Sequence, residues 1–293
     1  MNNESLVQIA DITTLKCLKL SCDAILTIEF IKKIATNCNK LESIEIKGFR
    51  VENLPRIQEA FDTFFENRKD TLKMFTFMPS NCYCCLFEEN SNILRNITLC
   101  QNLEELSLYS DDYVLVQLSK ISKESKIKRL MFHNGEHFER FQILKNLFEK
   151  ARFPLLERLC VSISKRIGED LDQMKIFTDE SFDSFLKSSP HLKSIHLIGP
   201  MIENDVWNIS NELVFNLINQ SNIYVNFGKV EIGYESNIGL VLSDKLGWYN
   251  RQLSMEQYLL DHDISVFDKY QKMKGDFSIW LEEGSNWDAF DFR

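Results

Sequence analysis

The sequence predicts an α/β solenoid: a curved parallel sheet with helices on its convex side, plus a short helical cap at the C-terminal end. Three observations predict it. A six-residue apolar pattern recurs eight times along the 293 residues. The segments between copies carry helical periodicity. The strands carry polar residues at alternate positions, so one face of each strand is the consistently apolar one.

The pattern is apolar, two variable, apolar, one variable, apolar. It reads Leu15-Leu18-Leu20, Leu41-Ile44-Ile46, Leu72-Phe75-Phe77 and Leu103-Leu106-Leu108. It continues as Ile127-Leu130-Phe132, Leu156-Leu159-Val161 and Leu192-Ile195-Leu197, with Phe227-Val230-Ile232 as an eighth, less regular copy. The last two positions are two residues apart, which is strand spacing with both side chains on one face. The first position turns into the same core as the chain enters the strand. One such strand cannot bury its face alone, whereas a parallel stack makes a continuous core.

Between copies, 23–38 spaces Ile25, Ile28, Ile31 and Ile34 three apart. Residues 56–69 gather Ile57, Phe61, Phe64 and Phe65 on one side, and 136–151 do the same with Phe138, Phe141, Leu144 and Leu147. These are amphipathic helix spacings, and a helix is the usual crossover between parallel strands. Repeat starts are 26, 31, 31, 24, 29, 36 and 35 residues apart, which reads as a diverged array with loop insertions. The competing architecture, a doubly wound sheet, would need strands buried on both faces and continuously apolar. The alternating polar residues oppose it. Only fourteen residues precede Leu15, so the first strand is expected at an open edge.

Composition narrows the function. Apolar residues are 44% and charged residues 26%, enough for a sizeable core. The net charge of -9 lacks the basic footprint of nucleic-acid binding. No run of 18 apolar residues marks a membrane span, and the start MNNESLVQIADITTLK is not a signal peptide. The expectation is a cytoplasmic or nuclear protein that is not secreted, with its eight cysteines reduced.

Chemical motifs are few. Cys82, Cys84 and Cys85 lie too close together for tetrahedral zinc, and no second cluster stands at a suitable distance. His133-Asn134-Gly135-Glu136-His137 has the wrong order for a zinc-protease helix. Cys160 and His196 fall on neighbouring strands as a formal nucleophile pair, but neither an orienting third group nor an oxyanion site is legible. No phosphate-binding glycine loop occurs. The expectation is no enzyme, no cofactor and no metal.

The repeats resemble the cysteine-containing leucine-rich repeats of F-box/leucine-rich-repeat proteins. The resemblance rests on 36–46 (TNCNKLESIEI), 99–108 (LCQNLEELSL) and 188–199 (SSPHLKSIHLIG), and covers roughly residues 11–235. Cys38, Cys100 and Ser189 each precede the first repeat Leu by three, where that family carries Cys or a small residue at the helix end. The resemblance implies a substrate-recognition subunit of a ubiquitin ligase, with ligase components among its partners. No F-box-like Leu-Pro opening is read in the fourteen residues ahead of Leu15, so a truncated product or a relative that lost the F-box is expected.

In such a solenoid the variable strand residues face the concave side. In the middle of the array Met74, Met78, Tyr109, Arg129, Met131, His133 and Arg158 fall there, followed by His196, and the eighth copy would add Lys229, Glu231 and Gly233. Met, Tyr and Arg are enriched at protein interfaces. These residues are the candidate surface for a protein partner. The alternative is an inhibitor or scaffold of the ribonuclease-inhibitor type that acts by occlusion. Residues 1–235 are read as the solenoid. Residues 236–293 are read as a helical cap and a Trp-rich acidic tail containing Trp280, Trp287, Phe290 and Phe292.

Overall fold

The computed structural model describes residues 3–21, 25–51, 54–78, 94–109, 125–134, 149, 152–163, 179–199, 209–229 and 255–284. Among them, eight strands form one parallel sheet whose spatial order is the chain order. They are β1 (Cys17–Ser21), β2 (Ser43–Lys47), β3 (Met74–Met78), β4 (Glu105–Tyr109), β5 (Arg129–Asn134), β6 (Arg158–Ile163), β7 (Ser194–Gly199) and β8 (Tyr224–Lys229). The fold is the α/β repeat solenoid that the pattern predicts.

Register is constant across the sheet. One row runs Leu18, Ile44, Phe75, Leu106, Leu130, Leu159, Ile195 and Val225, each directly opposite the next. The next row on that face begins Leu20, Ile46 and Phe77 and passes through Phe132, Val161 and Leu197. A slip of one residue would turn a strand's apolar pair to solvent. These side chains share one core with residues of the helices.

The helices are α1 (Asn3–Ile9), α2 (Ile28–Asn37), α3 (Leu54–Arg68), α4 (Asp179–Lys187), α5 (Asn211–Asn216), α6 (255–262) and α7 (Ile264–Gly284). A 3-10 turn, Arg95–Leu99, precedes β4. Helix α2 begins at Thr27, whose side chain accepts from the Phe30 amide at 3.3 Å. That start corrects the sequence reading of 23–38: Ile25 belongs to a short strand, Ile25–Leu26, paired with Arg50–Val51. Helix α3 buries Ile57, Phe61, Phe64 and Phe65 as expected. Phe61, Phe65, Phe75 and Phe77 pack at centroid distances of 5.1–6.4 Å, so rings fill the third repeat. The helix expected over 136–151 lies outside the described residues, apart from a helical Glu149.

The eighth copy requires a correction. The strand in register with β7 is Tyr224–Lys229, not the segment ending Val230-Ile232. Its apolar residue opposite Ile195 is Val225. Apolar spacing does not mark this strand because the first position of its repeat is Asn222 rather than an apolar residue. Asn222 adopts a left-handed conformation (φ 55°) that ends the preceding π-turn, and neighbouring Ile223 is buried. Asn tolerates that conformation better than most residues.

The expectation of a bare N-terminal end is also modified. β1 is the outer strand, but Leu6 and Ala10 are fully buried and α1 extends the helical layer beside α2. The Cys38 thiol lies 3.6 Å from both the Ala10 and Ile12 carbonyl oxygens. Cys100 takes the matching place beside the Phe65 carbonyl at 4.0 Å. Each buried thiol thus serves a backbone carbonyl of the preceding repeat.

A second inter-repeat staple is Arg68. It is buried, and its guanidinium donates to the Ile34 and Ala35 carbonyls at 3.3 and 2.8 Å and to the Asn67 carbonyl at 2.9 Å. A cation here satisfies carbonyls at the C-terminal end of α2 and matches that end's partial negative charge. Removing it strands acceptors inside the helical layer. The variant Arg68→Ala is expected to lose about 2–3 kcal/mol, read as a lower denaturant midpoint, whereas the solvent-facing Lys128→Ala should leave the midpoint nearly unchanged.

Candidate partner-binding surface

Alternation along each strand makes two faces. The apolar rows meet the helices, and the intervening residues face away from them, on the concave side. One concave row reads Cys17, Ser43, Met74, Glu105, Arg129, Arg158, Ser194 and Tyr224. The second reads Lys19, Glu45, Thr76, Ser107, Met131, Cys160, His196 and Asn226. Neighbours within a row lie on strands about 4.8 Å apart.

The predicted residues therefore come together on one face. Met74, Arg129, Met131 and Arg158 line an open trough that also includes Glu45, Lys47 and Glu105. Met78 ends β3, and Tyr109 stands in register with His133 at the ends of β4 and β5. Arg129 reaches Glu105 at 3.0 Å. Lys47 and Lys19 approach Glu45 at 2.9 and 3.7 Å. The Ser107 hydroxyl lies 3.1 Å from the Met131 sulfur. Arg158 sits opposite Arg129, and its guanidinium is held below its ordinary value, first by burial and then by that neighbouring cation.

His196 is a correction. It occupies the predicted row but is only 1% exposed, so it offers no surface in this state. Tyr224 contacts it edge-on at 5.7 Å, and Tyr270 of α7 stacks on Tyr224 at 5.5 Å. Helix α7 thus lies against the concave side of β8. Lys269 of α7 donates to the Asn219 carbonyl at 2.9 Å. On the other flank Tyr258 and His262 of α6 pack on Phe215 of α5. At the start of the rows Cys17 and Lys19 are exposed, whereas near their end Ser194, His196 and Tyr224 are buried. Lys229 is the last residue of β8, in register with Gly199, and 231–233 lie outside the described residues.

The register does place Cys160 directly opposite His196. Their environment opposes nucleophilic chemistry. Burial raises the Cys160 thiol far above its ordinary value, and burial with Arg158 nearby lowers His196 to about 4. Both groups are neutral at pH 7, and the thiolate is the reactive form. The Cys82–Cys85 cluster and residues 135–137 lie outside the described residues. No group of three metal-ligating side chains occurs among the described residues, and none of their helices is long and apolar enough to cross a membrane.

A feature missed by sequence reasoning lies just ahead of the strands. The residue after each first apolar position is Lys16, Glu42, Lys73, Glu104, Lys128, Glu157 and Lys193, in strict alternation of sign. Lys73 meets Glu42 at 2.6 Å, Lys128 meets Glu104 at 2.7 Å, and Lys193 meets Glu157 at 2.8 Å. Their backbones form a matching ladder, each amide donating to the carbonyl one repeat earlier at 2.7–2.8 Å. Writing the copies beneath one another would have revealed it.

No protein-family profile matches the chain, and neither does any curated protein. Among solved structures it is similar to a chain of the Rad7 and Elc1 complex in yeast. The likeness covers 81% of this chain and 77% of that chain, at 12% identity and a TM-score of 0.33.

Two outcomes test the site chemistry. His196 has a folded value below the ordinary 6.5, so the unfolded chain binds the extra proton and stability falls as pH drops from 6.5 toward 4. From pH 7 to pH 5 this contribution is about 2 kcal/mol. His196→Gln should remove it, seen as a flatter dependence of the denaturant midpoint on pH. A mild thiol reagent at neutral pH, followed by peptide mapping, should label exposed Cys17 rapidly and spare Cys38, Cys100 and Cys160.

Proposed function

We propose that this chain is a protein-interaction module that holds its partner on the concave face. The observation that carries this is the in-register grouping of Met74, Arg129, Met131 and Arg158 along an open trough of the sheet. Met78, Tyr109 and His133 extend the proposed surface along the ends of their strands. Long polarizable methionines beside arginines suit a peptide or protein surface. The residue pair nearest to a nucleophile arrangement is buried and neutral, which favours binding over catalysis.

The cysteine-containing repeats support a finer reading, that the module chooses substrates for a ubiquitin ligase or derives from a protein that did. Residues 236–293 would then serve as a terminal cap, a role supported by the packing of α6 and α7 against α5 and β8. Occlusion of a partner, in the manner of a leucine-rich-repeat inhibitor, is the second reading. It differs in requiring no ligase component.

Affinity capture with mass spectrometry distinguishes them. Wild type is compared with Arg129→Glu/Met131→Ala, a variant whose changes lie on the open face. One partner lost by the variant, with ligase subunits recovered by both forms, is the expected result for a substrate-choosing module. Loss of one partner without any ligase subunit supports occlusion. Unchanged recovery of every partner overturns the concave-face assignment.

A further inference from the structure

Among the described residues the concave rows carry the opposite charge balance to the whole protein. The chain has 43 acidic and 34 basic residues. Along the two concave rows and the adjoining end of β2, four cations (Lys19, Lys47, Arg129 and Arg158) meet two carboxylates (Glu45 and Glu105). Register sets Arg129 and Arg158 side by side on adjacent strands. Like charges at that separation repel, and burial costs Arg158 part of its hydration. Glu105 already pairs with Arg129, and Glu157 and Glu105 offset part of the repulsion at Arg158; a further carboxylate from a partner adds to that offset. Guanidinium groups match carboxylates in shape as well as charge. Met74 and Met131 bring apolar surface to the same trough.

We propose that the trough across β2–β6 binds an extended acidic peptide segment, with carboxylates over Arg129 and Arg158 and apolar side chains against Met74 and Met131. This rests on the reading of the concave face as the partner surface and gives that partner a chemistry. Four strand spacings span about 19 Å, the reach of roughly six extended residues. Nucleic acid fits less well. Glu45 and Glu105 interrupt the cations, and phosphates recurring at every nucleotide would meet both, whereas a peptide can carry carboxylates over Arg129 and Arg158 alone.

The test is selection by the full-length protein from a synthetic library of about eight-residue peptides, randomised among Glu, Lys, Ser, Leu and Phe. Wild type should enrich peptides that combine Glu with Leu or Phe. A selected peptide should lose about tenfold in affinity toward Arg129→Gln/Arg158→Gln, and binding should weaken with added salt. Circular dichroism of the variant should match wild type, since both changes keep a polar side chain on the open face.

Several results would overturn the proposal. They are enrichment of Lys, enrichment without charge preference, equal affinity for the double variant, or tighter binding to a single-stranded oligonucleotide than to any selected peptide. Uncharged peptides whose binding is lost in Met74→Ala/Met131→Ala would sink the acidic partner and leave the concave-face reading standing. Failure to enrich any peptide, together with unchanged partner capture by Arg129→Glu/Met131→Ala, would sink both.

Discussion

In-register stacking of one apolar pair per repeat is the constraint on which the rest of the structure depends. A strand that is apolar on one face and polar on the other has no stable position alone. Placing Leu18 over Ile44 over Phe75, and so on to Val225, gives every pair a neighbour in the next repeat. Because side chains alternate strictly, the same act sends every intervening residue to the concave face. Core and candidate surface are therefore two consequences of one register.

Polar groups at the edges of each layer reinforce that register. The Lys–Glu ladder ahead of the strands repeats at the same offset as the apolar rows, and its backbone amides cross from one repeat to the next. Individually such exposed pairs contribute little. Their sign alternation still disfavours a repeat that skips a neighbour, since that would set like charges together. Arg68 and the thiols of Cys38 and Cys100 act on the helical side, where they occupy carbonyls that would otherwise be stranded. Insertions between these fixed points change the period without disturbing the stack, because closing a longer loop costs only slowly more.

The concave face is not uniform from end to end. At the N-terminal end it is open, with Lys19 extended beside Glu45. At the C-terminal end the aromatic contacts from His196 through Tyr224 to Tyr270 close it. The middle, around Arg129 and Met131, combines accessibility with charge and apolar surface. Among the described residues, the open stretch is thus bounded by the chain's own C-terminal helix and not by the length of the array.

The repeat was legible in the sequence because its period is short and its chemistry local. Apolar spacing marked seven strands, their direction and the face each side chain takes. The amphipathic run of α3 and the places of Cys38 and Cys100 could be read the same way. The eighth strand escaped because Asn222 replaces the expected apolar residue with a backbone conformation, which spacing cannot detect. Ile25 reads as helical in the sequence because three-residue spacing does not show where a cap such as Thr27 starts a helix. Alternation puts His196 on the concave row, yet it is buried beside Tyr224, which itself stacks on Tyr270 more than seventy residues beyond His196. By itself the sequence determined the repeating unit and, for the first seven strands, the register and the residues sent to each face, since these follow from alternation between neighbours. Only the tertiary structure decided which of those residues meet solvent and which cations stand together, because burial and charge pairing arise between segments far apart in the chain.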